Sequence, residues 1–259
     1  MSSILGISGS SYTNYGSYGK LASGKKLQTA ADGAAELAIA EKLNSQVKGY
    51  DAGTRNMQSG KDLLNIADGA LSGVTDYLQR IRELALQASN SALLSDDDLQ
   101  GIQQEIDYMK QGINDIASQT QYNRQNILDG SKSSFQMATN GNGGSTTLNT
   151  ANSLLSELGI ADFDVTGDFD LGDIDNALMK VSDSRSSMGA QSNALDHAIN
   201  YNSYTSFNMV GAQSRFEDLD YPKAISEQKK QETLQLYSIM MLKKRQEDEA
   251  SRMRRFFIS

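Results

Sequence analysis

The chain has 259 residues, a formal net charge of −8, 38% hydrophobic residues and 7% aromatic residues. The acidic balance argues against a nucleic-acid-binding face, because phosphate neutralisation needs clustered Lys and Arg. Cysteine is absent, which excludes disulfides, thiolate metal sites and cysteine nucleophiles. Since few large side chains are present to fill a globular core, we expect the apolar surface to lie along helix seams.

The first segment, residues 1–24, is rich in Ser, Gly and Tyr and has no charge before Lys20. Such a composition buries too little surface to fold alone, so the segment is expected to need a partner. It also lacks the basic start, apolar stretch and cleavage site of a signal peptide. No segment reaches the roughly 20 apolar residues that span a bilayer. We expect no membrane insertion, and either an intracellular location or secretion without a cleaved signal.

A connector and a long helix follow. Residues 25–36 are small and turn-prone around Asp32 and Gly33, which predicts a connector. Beyond it, apolar and small residues alternate in steps of four and three, the period of a helix packed against another helix over its whole length. At about 1.5 Å per residue this helix would form a rod of roughly 75 Å. The register consists of Ile39, Leu43, Gln46, Tyr50, Gly53, Met57, Gly60, Leu64, Ala67, Leu71, Val74, Leu78, Ile81, Ala85 and Ala88.

Two further helices carry matching seams. Ser95, followed by Asp96, Asp97 and Asp98, is predicted to cap the second helix. The third helix is predicted from about Asp173 to Phe216, with one face repeating every seven residues. The predicted rod seam comprises Leu64, Leu71, Leu78, Ile81, Ile106, Ile113, Val181, Met188 and Leu195. The pattern predicts a mainly α, elongated antiparallel helical bundle or coiled coil. The alternative is a helical bundle with no further role, since heptads indicate structure and not activity.

Between and after these helices lie shorter elements. Residues 123–130 are predicted to close the second helix, and residues 134–137 form a weakly alternating strand before the run from Asn140 to Gly144. That run is typical of a hairpin turn, so a small β-hairpin is expected. After Pro222 a last helix is predicted, with basic side chains interleaved with acids near its end. This pattern indicates a solvated or partner-facing helix.

Seven stretches of the chain resemble, in the same order, stretches of bacterial flagellin. They cover most of residues 20–221 and read LASGKKLQTAADGAAELAIAEKL, LNIADGALSGVTDYLQRIRELALQASN, DLQGIQQEID, YNRQNILDG, FQMATNG, SSMGAQSNALDHAIN and SRFEDLDY. The resemblance implies terminal inner-core helices from residues 1–24 and 222–259, paired with each other, and a rod-like core domain at 37–221. Residues 131–173 are too short for the family's outer domains, so the chain resembles a short, core-only form.

The same resemblance implies a structural subunit that polymerises with itself into the extracellular flagellar filament. It also implies secretion through the flagellar export machinery with an export chaperone. Two departures keep an alternative open: the segment before LASG is short and rich in Gly and Tyr, and the tail is unusually charged. The alternative is a hook–filament junction protein or a specialised minor flagellin.

No catalytic residue, cofactor or metal is expected. Some flagellins carry a zinc protease that needs two His residues one helical turn apart, whereas this chain has only His197. The segment Asp162–Asp173 alternates oxygen-bearing side chains with Gly167 in the sixth place, like a calcium loop. However, it ends in Asp where a bidentate Glu is wanted. The alternative interpretation is a loop that simply enters the third helix.

The resemblance also implies a surface for the flagellin-sensing Toll-like receptor. By matching motif, this surface would comprise Arg80, Leu84, Gln87 and Glu105, with Leu84 as an exposed apolar anchor. The alternative is that Arg80 and Glu105 merely form a surface ion pair, which contributes at most about 1 kcal/mol.

Overall fold

The computed structural model describes residues 18–90 and 94–258. This part is mainly α-helical, as the sequence predicted, and it contains two small antiparallel strand pairs. Of the terminal segment 1–24, residues 1–17 lie outside the described residues. Residues 18–23 are helical. The later elements are α1 Ala30–Ala88, α2 Asp96–Gln119, β1 Gln121–Tyr122, β2 Gln125–Asn126, β3 Ser134–Ala138, β4 Ser145–Asn149, α3 Leu155–Leu158, α4 Leu171–Glu217 and α5 Tyr221–Ile258.

The chain divides into two compact units. The terminal unit contains the described residues up to Ser45 and those from Asn208 onward, and the central unit is Gln46–Phe207. Helices α1 and α4 therefore each contribute residues to both units, whereas the expected core domain began at residue 37 and ended at 221.

Helix α1 begins earlier than expected and changes its buried face along its length. It starts at Ala30, within the expected connector, and its backbone leaves helical geometry at Gly33. Ile39, a predicted register position, is 45% exposed, while Ala40 and Val47 are buried instead. The expectation for Ile39 is therefore wrong. A helix of 3.6 residues per turn drifts against a strict seven-residue repeat, so the heptad describes the buried face only from Tyr50 onward.

The core of the central unit lies along the seams of α1, α2 and α4. All nine predicted rod-seam residues are at most 3% exposed: Leu64, Leu71, Leu78, Ile81, Ile106, Ile113, Val181, Met188 and Leu195. The segment between α2 and α4 adds further buried side chains to the same cluster, namely Ile127, Leu128, Leu148, Leu158, Ile160, Phe163 and Val165. This middle segment is thus part of the core and covers the helices.

Helix α2 begins with a reciprocal capping arrangement, which confirms the predicted cap. The Ser95 hydroxyl accepts a hydrogen bond of 3.2 Å from the Asp98 amide. In return, the Asp98 carboxylate accepts one of 2.9 Å from the Ser95 amide. These bonds satisfy amides that would otherwise lack partners at the helix start. Hydrogen bonds from Ser95, through its hydroxyl and its amide, hold the pKa of Asp98 below the ordinary value.

Two hairpins connect the helices, and only one was predicted. Strands β1 and β2 are joined by Asn123 and Arg124, which both have positive φ angles of 49° and 62°. Two such residues are typical of a type I′ turn, although the sequence here was interpreted only as a helix end. Strands β3 and β4 pair from Ser134↔Asn149 to Ala138↔Ser145, which confirms the predicted hairpin.

Helix α5 is the predicted last helix and has 38 residues. It begins at Tyr221. Pro222 lies in its first turn, where a backbone N–H would have no acceptor within the helix, so the absence of this group from proline costs no helical hydrogen bond. Its large apolar side chains are mostly exposed, among them Ile225, Leu234, Leu236, Tyr237, Ile239 and Met240. Among the described residues, no helix combines the length and apolarity needed to cross a bilayer.

Candidate functional site

In the terminal unit, two loops pair through their backbones to form a clasp, defined here as residues 24–26 and 217–219. The Lys26 amide donates to the Glu217 carbonyl at 2.8 Å, and the Leu219 amide donates to the Gly24 carbonyl at 2.8 Å. The Lys25 ammonium also pairs with the Glu217 carboxylate. This ion pair, with a hydrogen bond from Gln213, holds the pKa of Glu217 below its ordinary value. The clasp joins an early and a late segment of the chain.

Glycine is required at one position of the clasp. Gly24 has a φ of +70°, and a Cβ built there would lie 3.1 Å from the hydroxyl of Tyr221. Side chains other than glycine rarely adopt this φ. The Tyr221 hydroxyl donates to the Leu21 carbonyl at 3.2 Å, so the start of α5 is bonded to the helical residues 18–23.

The expected connector is a structured turn organised by Asp32. Its carboxylate accepts hydrogen bonds from the Thr29 amide at 3.0 Å and the Gln28 amide at 3.2 Å. It also pairs with the Lys20 ammonium at 2.5 Å. Lys20 and these amides hold the pKa of Asp32 well below its usual range. Because an Asp side chain that bonds nearby amides closes a turn, Asp32 closes the turn at the start of α1.

The proposed receptor-facing surface contains a charge cluster that the sequence predicted only in part. The Arg80 guanidinium donates to the Glu105 carboxylate at 2.8 and 3.0 Å and to Glu83 at 3.1 Å. Glu105 first, and then Glu83, raise the pKa of Arg80. Gln87 is exposed on the same helix, one residue after Leu86. Arg80 and Glu105 therefore form the surface ion pair of the alternative interpretation, and Glu83 joins them.

The expectation that Leu84 is an exposed anchor is wrong. Leu84 is only 3% exposed and belongs to the core of the central unit, whereas Leu86 is 54% exposed. The physical reason is the width of the buried stripe on α1, which includes Ile81, Leu84 and Ala85 and so exceeds a heptad seam. Of these two leucines, only Leu86 is exposed on α1.

The segment Asp162–Asp173 uses its acidic side chains to form turns. The Asp164 carboxylate accepts hydrogen bonds from the Thr166 amide at 2.8 Å and the Thr166 hydroxyl at 2.7 Å, and these bonds lower its pKa. Asp170 accepts one from the Gly172 amide at 2.8 Å, just where α4 begins. Within residues 18–90 and 94–258, no group of three or more His, Asp or Glu side chains is placed to hold a metal ion. His197 is exposed on α4.

Family models match both helical parts of the chain. The model for the bacterial flagellin N-terminal helical region matches residues 5–133, and the model for the C-terminal helical region matches residues 171–251. Together they leave unmatched mainly the middle segment between α2 and α4. The chain thus has the two halves of the family without a long insertion between them.

Whole-chain relatives agree with these matches. The chain is 35% identical over 216 residues to the flagellin of Halalkalibacterium halodurans, covering 80% of this chain and 79% of the relative. It is 32% identical over 261 aligned residues to the flagellin of Bacillus subtilis, covering 86% of each. Among solved structures, the crystal structure of Bacillus cereus flagellin matches with a TM-score of 0.50 and 27% identity, covering 57% of this chain and 88% of that one. The chain therefore belongs to the bacterial flagellin family, a family of structural subunits of the flagellar filament.

Proposed function

We propose that this chain polymerises into the flagellar filament as a structural subunit, and that α5 supplies apolar contacts between copies. The observation that carries the proposal is the exposure of large apolar side chains on α5, which is unusual for a helix of a soluble monomer. Leu234, Leu236, Tyr237, Ile239 and Met240 lie within seven consecutive residues and are all more than half exposed. Association of copies would remove this surface from water, which favours assembly.

The charged end of α5 would add ion pairs to the apolar contacts between copies. Basic residues Lys243, Lys244 and Arg245 are followed by Glu247 and Asp248, and all of them are exposed. Opposite charges close together along one helix can pair with the same segment of a neighbouring copy. The family membership favours this role in a filament over the hook–filament junction, because both family models and the curated relatives are flagellins.

Seeded assembly tests the proposal. Purified protein with filament seeds should elongate into long filaments visible by electron microscopy. The double variant Leu236→Asp with Ile239→Asp should not elongate, because it places charge in the apolar contact. Gln231→Asp, an exposed polar position on the same helix, is the matched control and should elongate normally. Elongation of the double variant at the normal rate would overturn the role of α5, and failure of the unmodified protein to elongate would favour the junction role.

Secretion follows from the same proposal. We expect the chain to reach the cell exterior through the flagellar export machinery, aided by an export chaperone, and to be extracellular in the filament. The absence of cysteine supports passage through a narrow channel, since no disulfide can form before transit. Deletion of the export machinery in a flagellated host should trap the protein inside the cell, and secretion that continues would contradict the route.

A second role rests on the charge cluster of α1 and α2. We propose that Arg80, Gln87 and Glu105, together with exposed Leu86, form a surface for the flagellin-sensing Toll-like receptor. An exposed Arg that already bonds two carboxylates is held in position by them. Preorganised Arg side chains are frequent centres of protein interfaces.

A further inference from the structure

We propose that Asn142, at the tip of the β3–β4 hairpin, is a site of spontaneous deamidation, and that the neighbouring Asn140 is protected from it. The chain contains two Asn-Gly pairs, Asn140-Gly141 and Asn142-Gly143, which lie next to each other in the turn. Glycine after asparagine leaves the attacking backbone nitrogen unhindered. The two pairs therefore share the same local chemistry, and only their surroundings in the fold differ.

The reaction needs only water and the chain itself. The Gly143 backbone nitrogen loses its proton and attacks the side-chain carbonyl carbon Cγ of Asn142. A bond from this nitrogen to Cγ forms, the bond from Cγ to Nδ2 breaks, and the side-chain nitrogen leaves as ammonia after taking up a proton. Water then adds to one of the two carbonyl groups of the resulting succinimide and opens the ring, which gives aspartate or isoaspartate. No oxidant or reductant takes part.

Asn142 meets the requirements of this reaction. Both Asn142 and Gly143 are exposed. Within the part of the chain that the structure describes, neither the Asn142 side chain nor the Gly143 amide makes a hydrogen bond. Gly143 has a φ of +87°, and nothing lies within 4 Å of a Cβ built on it. Neither the attacking nitrogen nor the Asn142 side chain therefore has a hydrogen bond of its own to lose as the two approach each other.

Asn140 is held in place by two hydrogen bonds and one close packing contact. Its side-chain oxygen accepts hydrogen bonds of 2.9 Å from the amides of Asn142 and Gly144. The backbone of Gly144 packs against its side-chain amide, since a Cβ built there would lie 2.5 Å from Nδ2. These two hydrogen bonds fix the side-chain torsion angles of Asn140, so turning its carbonyl carbon toward the Gly141 nitrogen would strain or break them, and each broken bond raises the barrier.

The nitrogen that would attack Asn140 is confined as well. Gly141 packs against Gly49 of α1 so closely that a Cβ built on Gly49 would lie 2.9 Å from the Gly141 nitrogen and 2.7 Å from its Cα. Rotation of this peptide toward the Asn140 side chain would therefore disturb the contact between hairpin and helix. The folded structure thus fixes both reacting groups of the first Asn-Gly pair, whereas the Asn142 side chain and the Gly143 amide of the second make no hydrogen bond in the described residues.

The test compares the two sites in the same molecule. The folded full-length chain is incubated at mildly alkaline pH, and peptide mass spectrometry follows the replacement of each side-chain amide by a carboxyl group. Asn142 should convert about tenfold or more faster than Asn140, because two hydrogen bonds protect the latter. In urea, where the fold is lost, both sites should convert at similar rates, since each precedes glycine.

Each outcome decides the proposal. Equal rates at the two sites in the folded protein would overturn it, as would an Asn142 that converts much more slowly in the folded chain than in urea. Asn142→Gln serves as a second check, because the longer side chain forms the cyclic intermediate poorly, and it should remove the fast reaction while leaving the hairpin folded. A fast reaction that persists in this variant would place the labile residue elsewhere and contradict the assignment.

Discussion

The side-chain amide of Asn202 donates a hydrogen bond of 2.7 Å to the backbone carbonyl of Thr139, so that α4 is bonded to the β3–β4 hairpin. Asn202 is 3% exposed and occupies a heptad position where the preceding seam residues of α4 are apolar. The same carbonyl lies against α1, because a Cβ built on Gly53 would be 1.9 Å from its oxygen. One backbone group of the hairpin therefore contacts both long helices of the central unit.

The first prediction tests this close contact. Gly53→Ala should reduce the free energy of unfolding by about 1 to 3 kcal/mol, because its methyl group would overlap the Thr139 carbonyl. Gly69→Ala on the same helix is the matched control, since nothing lies within 4 Å of a Cβ built there. It should be neutral or stabilising by about 0.5 to 1 kcal/mol. Urea unfolding measures both, and equal effects would contradict the contact.

The second prediction concerns the seam of α1. Leu71 is fully buried, so Leu71→Asp should cost at least about 3 kcal/mol, since it places an unpaired charge in the core. Ile66→Asp, at a position that is 44% exposed on the same helix, should cost much less. Thermal melting followed by circular dichroism at 222 nm, the usual helix signal, distinguishes the two. A Leu71→Asp variant that melts like the Ile66→Asp variant would show that this seam does not stabilise the fold.

The third prediction concerns pH and the cap of α2. Because the pKa of Asp98 is lowered in the folded state, the stabilisation is complete above the ordinary Asp pKa of about 4 and is lost as pH falls through the lowered value. Asp98→Asn should therefore reduce the melting temperature at neutral pH, and the difference from wild type should close in acid. Asp97→Asn removes the same charge without touching the capping box and should change the melting temperature less. A difference that stays constant with pH would rule out the carboxylate as its source.

The fourth prediction separates recognition from stability. Arg80→Ala with Gln87→Ala should lower receptor signalling while leaving the melting temperature nearly unchanged, since both side chains are exposed. Leu84→Ala should instead reduce the free energy of unfolding by about 2 to 5 kcal/mol, because Leu84 lies in the core. Receptor reporter cells and thermal melting, applied to both variants, check this division. Full signalling by the double variant would exclude the proposed surface.

The heptad pattern predicted the buried face of α1 from Tyr50 onward and that of α4 from Ile174 to Asn202, but it did not predict the width of the buried stripe. Leu71 on α1 and Val181 on α4 both face the core, as the seven-residue repeat of each helix predicted. Leu84 was assigned to the surface by its motif, yet it is buried. A helix covered by several segments buries a wider stripe than a two-helix seam, and a repeat read from one helix cannot show how many segments cover it.

The elements that the sequence analysis missed have little local signal. The hairpin around Asn123 and Arg124 has strands of only two residues, too short for an alternating pattern. The clasp joins Lys25 to Glu217 across 192 positions, and no periodicity links residues so far apart. The β3–β4 hairpin was predictable because the run from Asn140 to Gly144 is a strong turn signal.

The clasp has a consequence for the order of folding. Its partners lie 192 positions apart in sequence, so it has to close a far longer loop than any helix or hairpin of the chain. Loop-closure entropy increases with loop length, and contacts between distant residues form slowly. The Lys25 side chain of its ion pair is about half exposed, and an ion pair with an exposed partner adds little to local stability. We therefore expect the clasp to close among the last steps of folding and to open among the first steps of unfolding.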